Sequence, residues 1–171
     1  MKKSYPNLKT ERLCLREILI SDLDRVHFFR SDKEINKFIK RPPQTIEMTI
    51  EHLQNISKEF IANKSVSWGI TTKDSDILIG SICLWNFSVD RKTAEVGYGL
   101  DPAFQNKGIM GEALKEVLNF GIVECGFKCI LAYTDYRNIP SKALLKQHGF
   151  IPITNIKDAD NQDNEVFYLN C

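Results

Sequence analysis

A loop rich in amide side chains and glycine is the segment of this 171-residue chain best suited to bind an anion. It reads Gln105-Asn106-Lys107-Gly108, and a helical pattern starts near Gly108. The first amide groups of a helix lack intrahelical acceptors and lie at its positive end, so such a start can bind phosphate. The loop lacks the Gly-Lys-Ser/Thr of nucleotide triphosphatases and the first Gly-x-Gly of dinucleotide-binding folds. By spacing, Gly108 and Gly111 fit phosphate ligands and close-packing positions equally well.

Two predicted strands and an amphipathic helix position this loop. Residues 94–100 form a strand that must stop at Asp101-Pro102, because proline cannot continue a central ladder. The helix that follows places Leu114 and Val117 on one face and ends near Gly126. Residues 129–134 then predict a buried strand.

The remaining pattern predicts further strands and helices in mixed order. Helix starts are indicated at Ser21-Asp22 and, by capping-box spacing, at Ser31, and Thr45 can cap a longer helix to about Asn63. The other predicted elements are strands at 12–16, 66–71 and 77–84, a helix at 141–147, and final strands at 150 and 166–169. We expect an α+β fold in a single domain spanning residues 1–171.

Composition excludes several classes of protein. Lys and Arg number 23 against 22 Asp and Glu, a net charge of +1, whereas a dedicated nucleic-acid binder is usually more basic. No apolar run approaches the roughly 20 residues needed to cross a bilayer. The charged start leads into Ser4-Tyr5-Pro6 rather than an apolar signal stretch. We expect a cytoplasmic protein that binds neither membranes nor nucleic acid directly.

Charge is distributed unevenly along the chain, at +4 over residues 1–66, zero over 67–154 and −3 over 155–171. The acidic segment 157–165 is favoured as a solvated hairpin loop, and the alternative is a lip that attracts a cationic substrate. The five cysteines lack the paired spacing of a zinc site, so we expect reduced thiols and no metal.

Five segments in the correct order resemble the GNAT superfamily of acyl-CoA-dependent N-acyltransferases, in particular its RimJ/RimL-like branch of ribosomal-protein acetyltransferases. Together they span nearly the whole chain. The segments are 8–16 (the opening strand), 78–82 (the third strand), 94–100 (the fourth strand), 105–110 (the pyrophosphate loop) and 138–150 (the last helix and the next strand).

The resemblance implies a three-layer α/β/α fold whose mixed, mostly antiparallel sheet splays between the family's fourth and fifth strands. It also implies acetyl-CoA as cosubstrate, without a metal, and an amine as acceptor. The residues implied for the cofactor are Val96, Tyr98, Leu100, Gln105, Asn106, Lys107, Gly108, Ile109, Met110, Gly111, Asn138 and Ser141.

Glu95 and Ser141 are the catalytic residues that the resemblance implies. Glu95 would act as general base toward the acceptor amine, and a surface or cross-strand carboxylate is the alternative. Ser141 would protonate the departing thiolate, with Tyr133 and Tyr136 as alternatives. Asn138 and Ser141 also fit a helix cap, a role that can coexist with catalysis.

Met110 departs from the family pattern, in which a small residue stands at that position. It motivates a competing hypothesis, a non-catalytic acyl-CoA-binding domain of the same fold. A third hypothesis is a ribosome-associated module that uses the basic first half. For the enzyme we expect a primary amine as acceptor, either the N-terminus of a protein, for example a ribosomal protein, or a small molecule. We expect the enzyme to be a monomer or a homodimer.

Overall fold

The computed structural model describes residues 4–42 and 44–171, so the charged start at residues 1–3 lies outside the described residues. Its helices are α1 (Leu23–Ser31), α2 (Ile46–Ile61), α3 (Ile109–Asn119) and α4 (Ile139–Gln147). Its strands are β1 (Leu8–Lys9), β2 (Leu13–Glu17), β3 (Val66–Thr72), β4 (Gly80–Trp85), β5 (Thr93–Leu100), β6 (Cys129–Asp135), β7 (Ile151–Ile153) and β8 (Asn164–Asn170). Within the described part of the chain, no helix is both long and apolar enough to cross a membrane.

The strands form one mixed sheet in the order β1-β2-β3-β4-β5-β6-β8-β7. β5 and β6 pair in parallel, and every other neighbouring pair is antiparallel. A parallel pair needs a crossover connection, which α3 supplies here. The α+β class and the mostly antiparallel sheet are thereby confirmed.

Helices cover both faces of the sheet. Trp68 and Ile70 of β3 belong to the same buried cluster as Leu114 and Val117 of α3. Gly69 lies between them in sequence, so it faces the other way. A Cβ atom at Gly69 would lie 2.5 Å from Leu78, which belongs to the second buried cluster with α1 and α2. The predicted three-layer arrangement is therefore confirmed.

Two of the three helix starts predicted in the first half of the chain are confirmed. α1 begins directly after Asp22, and Thr45 caps α2 by accepting a hydrogen bond from the Met48 amide. The short helix predicted from Ser31 is wrong, because α1 continues through Ser31 and the following residues form turns. The Asn36 side chain donates to the carbonyls of Phe29 and Asp32, which closes these turns on the end of α1.

Gly80 and Gly99 make a matched pair for testing the contact of β4 with β5. A Cβ atom at Gly80 would lie 2.6 Å from the Gly99 carbonyl oxygen, a backbone atom that cannot rotate away, whereas a Cβ atom at Gly99 would have no neighbour within 4 Å. We predict that Gly80→Ala destabilises the fold by about 1–3 kcal/mol and that Gly99→Ala does not. Urea unfolding measures both, and equal stabilities would contradict the packing described.

Candidate active site

The sheet opens between β5 and β6. Their pairing runs from Thr93 opposite Cys129 to Val96 opposite Ala132, and β5 then continues to Leu100 without β6 beside it. β5 and β6 correspond to the family's fourth and fifth strands, because the short strand β1 raises the numbering here by one. The predicted splay therefore lies between β5 and β6. A cavity of about 1050 Å³ lies at the opening and extends beneath α1 and α2.

Glu95 lies at the last paired stretch of β5 and lines this cavity. Its Oε1 accepts a hydrogen bond of 2.6 Å from Asn86 Nδ2. Partial burial raises the pKa of Glu95, the hydrogen bond from Asn86 opposes that shift, and the charge of Asp158 adds to it. The net effect is a raised pKa, so the carboxylate is a stronger base than a solvated glutamate.

The acidic hairpin loop between β7 and β8 contributes to the same cavity. Asp158 and Asp160 line it, and the charge of Asp158 is felt at Glu95 and at Tyr133. Burial first, and then the charges of Glu95 and Asp158, raise the pKa of Tyr133. The favoured interpretation is confirmed, because the loop joins the antiparallel strands β7 and β8 and most of its residues are exposed. Asp158 and Asp160 also line the cavity, which is the placement that the lip alternative requires.

A hydrogen bond joins the open edge of β5 to the start of α4. Tyr98 Oη and Ser141 Oγ lie 2.9 Å apart, and both residues line the cavity. Burial raises the pKa of Tyr98 to about 12, against the effect of the Ser141 hydrogen bond. Tyr98 is therefore protonated at neutral pH. Tyr136 is 51% exposed and does not line the cavity, whereas Tyr133 does.

Asn138 is the N-cap of α4. Its Oδ1 accepts a hydrogen bond of 3.2 Å from the Ser141 amide. The capping role of Asn138 is thus present in the structure, and the residue lines the cavity as well. The cap fixes the position of Ser141 relative to β5.

The three β5 residues predicted to face the cofactor differ in their surroundings. Val96 is the last residue paired with β6, and Tyr98 lies beyond that pairing. Leu100 is buried, does not line the cavity, and its carbonyl accepts from Gln105 Nε2 at 3.1 Å. In this structure the open edge of β5 is therefore most accessible around Tyr98.

Residues 105–111, which comprise a loop and the first turn of α3, lie outside the cavity. Asn106 and Gly108 have φ of 58° and 71°, a left-handed conformation that turns the chain into the helix. No side chain caps α3 at Gly108, so its first amide groups are available to a ligand. Lys107 Nζ donates to the Ala103 carbonyl at 2.8 Å. An uncapped helix start entered by glycine fits a phosphate group.

The first three residues of α3 show whether the Met110 side chain crowds the backbone at the helix start. Ile109 and Met110 have buried side chains within the main core cluster, so Met110 does not crowd the exposed backbone. A Cβ atom at Gly111 would lie 3.4 Å from the His148 ring, and His148 Nε2 lies 3.0 Å from the Gly111 carbonyl. Gly111 is thus a close-packing position between α3 and α4.

Arg12 is a residue that sequence reasoning did not assign to the site. Its guanidinium donates to the Lys107 carbonyl at 3.0 Å and pairs with Glu112 at 2.6 Å. It holds the loop and neutralises a carboxylate in the first turn of α3, where a phosphate would otherwise meet a negative charge. The only sequence signal was its place in the opening strand, about a hundred residues from the loop.

Cysteine and metal chemistry have no assembled site within residues 4–42 and 44–171. There, no group of three or more His, Cys, Asp or Glu side chains is arranged to hold a metal ion, and no disulfide joins the five cysteines. Cys83 lines the cavity, and burial raises the pKa of its thiol to about 11. This thiol is protonated at neutral pH and is a weak nucleophile.

Comparison with known proteins agrees with this geometry. Residues 12–151 match the family described as "Acetyltransferase (GNAT) domain". The chain belongs to the GNAT acetyltransferase family. This GNAT protein is 28% identical over 147 residues to the uncharacterised N-acetyltransferase YoaA of Bacillus subtilis, a match covering 85% of this chain and 83% of YoaA.

Solved GNAT structures share its fold. RimL, a ribosomal alpha-N-protein acetyltransferase in complex with coenzyme A, has a TM-score of 0.81 at 19% identity, with 94% of this chain and 95% of RimL covered. The spermidine N-acetyltransferase of Vibrio cholerae, in complex with CoA and spermine, gives 0.81 at 19% identity, with 94% and 96% covered. At 19% identity these two likenesses show that the chain shares the fold of both enzymes.

Asn86→Gly tests the electrostatics of Glu95. Asn86 has φ of 48°, which glycine adopts without strain, so the change removes the amide donor and little else. Because that donor stabilises the ionised carboxylate, we predict a further rise in the Glu95 pKa, measured by carboxyl ¹³C NMR titration. Glu112, whose pKa is held low by Thr10 and Arg12, is the control within the same spectra. An unchanged or lower Glu95 pKa would contradict the assignment.

Proposed function

We propose that this GNAT acetyltransferase moves the acetyl group of acetyl-CoA directly to a primary amine, with Glu95 as general base. The observation that carries the proposal is the convergence of Glu95, Tyr98 and Ser141 on one cavity where β5 and β6 separate. A base and a hydroxyl pair at the mouth of an open sheet suit a reaction that removes a proton from one reactant and supplies one to the other.

The proposed cofactor site consists of backbone and side-chain groups at the opening. Acetyl-CoA would supply the acetyl group as a reactive thioester. The amides at the start of α3 would bind its pyrophosphate, since that helix end is uncapped, and Asn138 would hold the arm beside β5. The full proposed set is Val96, Tyr98, Leu100, Gln105, Asn106, Lys107, Gly108, Ile109, Met110, Gly111, Asn138 and Ser141. Of these, Leu100 would have to release its contact with Gln105 to pair with a ligand.

Glu95 would prepare the acceptor for attack. A primary amine is protonated at neutral pH and has no free electron pair until it loses a proton. The Glu95 carboxylate can accept that proton, directly or through one water molecule. Its raised pKa brings it closer to the pH at which a base is most effective, and such help is worth roughly 10²–10⁴-fold in rate.

Ser141 would provide the proton for the departing thiolate. Its Oγ shares a hydrogen bond with Tyr98 Oη, and the high pKa of Tyr98 keeps that phenol protonated. A proton that Ser141 Oγ releases can therefore be replaced from Tyr98 Oη. Tyr98, which the resemblance implied only as a cofactor residue, thus becomes part of the proposed acid.

A primary amine is the class of acceptor that the related proteins support. RimL is described as an alpha-N-protein acetyltransferase, and the Vibrio cholerae protein as acting on spermidine. A protein N-terminus, including one of a ribosomal protein, and a small-molecule amine are both consistent with a cytoplasmic enzyme of this fold.

Glu95→Gln tests the proposed base while preserving the size of the side chain. With the best acceptor from a panel of primary amines, we predict a loss of about 10²-fold or more in kcat, because an amide cannot accept the proton. Isothermal titration should give an unchanged affinity for acetyl-CoA. Glu51→Gln, on the exposed side of α2, is the matched control. Full turnover by Glu95→Gln at every pH tested would remove Glu95 as base.

Arg12→Gln tests the proposed pyrophosphate site. Loss of the guanidinium leaves Glu112 uncompensated in the first turn of α3, so we predict acetyl-CoA binding weakened by about 2–5-fold, more at low salt. The double variant Arg12→Gln/Glu112→Gln should regain part of the loss, because it removes the repelling charge. Lys115→Gln, exposed on α3, is the control. Equal affinity in all four proteins would argue against phosphate binding at this end of α3.

A further inference from the structure

Two arginines line the cavity without a carboxylate partner. Arg30 lies in α1 and Arg41 in the segment before α2. Arg30 donates to Gln44 Oε1 from Nε and Nη2, at 3.3 and 3.1 Å, and Arg41 Nη1 donates to Asn36 Oδ1 at 2.9 Å. Among the described residues these acceptors are neutral, and neither guanidinium is within ion-pair distance of an acid.

The two guanidinium groups are close enough to affect each other. Burial lowers the pKa of Arg30 to about 10, and the charge of Arg41 adds to the effect. Burial also lowers the pKa of Arg41. Both stay protonated at neutral pH. Two like charges that are partly desolvated and lack a counter-charge are costly, which indicates a site completed by an anion.

His52 of α2 lies against the same pair and adds no charge. It lines the cavity together with both arginines. Burial, followed by the charges of Arg30 and Arg41, lowers its pKa to about 4. His52 is therefore neutral at pH 7. The positive charge of this wall comes from the arginines.

Glu95 and Asp158 contribute negative charge to the lining of the same cavity. The Asp158 carboxylate accepts from the Asp160 amide at 2.9 Å and from Asn164 Nδ2 at 2.7 Å, which are neutral donors. Among the other charged side chains of the lining, Lys40 pairs with Asp163 at 3.1 Å and Asp135 with Arg137 at 2.6 Å. Lys157 and Asp160 flank Asp158 in the acidic loop as one charge of each sign, so together they leave the net charge of that part of the lining unchanged. One cavity thus holds uncompensated groups of both signs that do not pair with each other.

We propose that the acceptor carries an oxyanion group in addition to its primary amine, and that Arg30 and Arg41 bind that group. The inference rests on the proposed function and narrows its acceptor to amino acids and similar amines that bear a carboxylate. The planar fork of a guanidinium matches a carboxylate in two hydrogen bonds. The ammonium end of the same molecule is attracted to Glu95 and Asp158. A polyamine, which carries positive charge alone, would be repelled by the arginines.

Binding measurements test the proposal without requiring turnover. The probes are straight-chain ω-amino carboxylates of graded length, their carboxamides, and the aminoalkyl phosphonates of the same lengths, titrated calorimetrically into the full chain. We expect the best carboxylate to bind about tenfold or more tightly than its amide, since the amide loses a charge-assisted pair. The phosphonate series distinguishes a site for carboxylates from one for phosphate-like groups. Amides that bind as tightly as the acids at every length would overturn the proposal.

Arg30→Met and Arg41→Met identify the residues responsible. Each should abolish the preference for acid over amide, and the corresponding Lys variants, which keep the charge and guard against loss of folding, should retain part of it. Lys37, like Arg41, lies in the segment between α1 and α2, but it is exposed and outside the cavity. Lys37→Met should therefore keep the full preference for acid over amide. Arginine variants that weaken acid and amide equally would also overturn the proposal.

Thiol release from acetyl-CoA separates this inference from the proposed function. If amines without an anionic group are acetylated as well as those that carry one, the proposal for Arg30 and Arg41 fails and the acetyltransferase remains. If no amine at all releases thiol, the proposed function fails, and the binding difference between acids and amides still decides whether the arginines hold an oxyanion.

Discussion

The parallel pairing of β5 with β6 lasts for four residue pairs, and the site depends on where it stops. If it continued to Leu100, backbone hydrogen bonds would close the edge of β5 beside Tyr98. The separation is held from both sides, because β5 ends at Asp101-Pro102 and Tyr98 bonds across the gap to Ser141. β6 itself continues to Asp135, so the two strands diverge beyond Val96, and the start of α4 lies across the gap from Tyr98.

Charge in this protein works through placement, since the net charge is only +1. At the start of α3, anion binding would come from free amide groups, with Arg12 cancelling the acid that stands among them. In the cavity, Arg30 and Arg41 do not pair with Glu95 or Asp158, and the hydrogen-bond partners described above for these four charged groups are neutral. A chain with no overall bias can therefore present regions of strong and opposite potential.

Sequence reasoning succeeded where the information is local. The cap at Thr45, the strand that stops before Pro102 and the helix that starts after Gly108 each depend on a few neighbouring residues, and each is found in the structure. The helix expected at Ser31 failed because Asn36 competes for the carbonyls at the end of α1. The roles of Arg12, and of Arg30 beside Arg41, depend on contacts between distant segments, which no spacing rule describes. The family resemblance predicted Glu95 and Ser141 as catalytic residues, whereas the hydrogen bond of the Tyr98 hydroxyl to Ser141 is visible only in the folded structure.

The apolar interior of the described residues consists of two clusters. One joins α3 to the sheet and supports the α3 helix start and β5, and the other joins α1 and α2 through Phe29, Leu53 and Leu78. The wall that carries Arg30 and Arg41 rests on the second cluster. Under the proposed function, substitutions in the second cluster would change the acceptor side of the cavity and leave the α3 helix start, which rests on the first cluster, in place, so acceptor preference could evolve without loss of the acetyl-donor site.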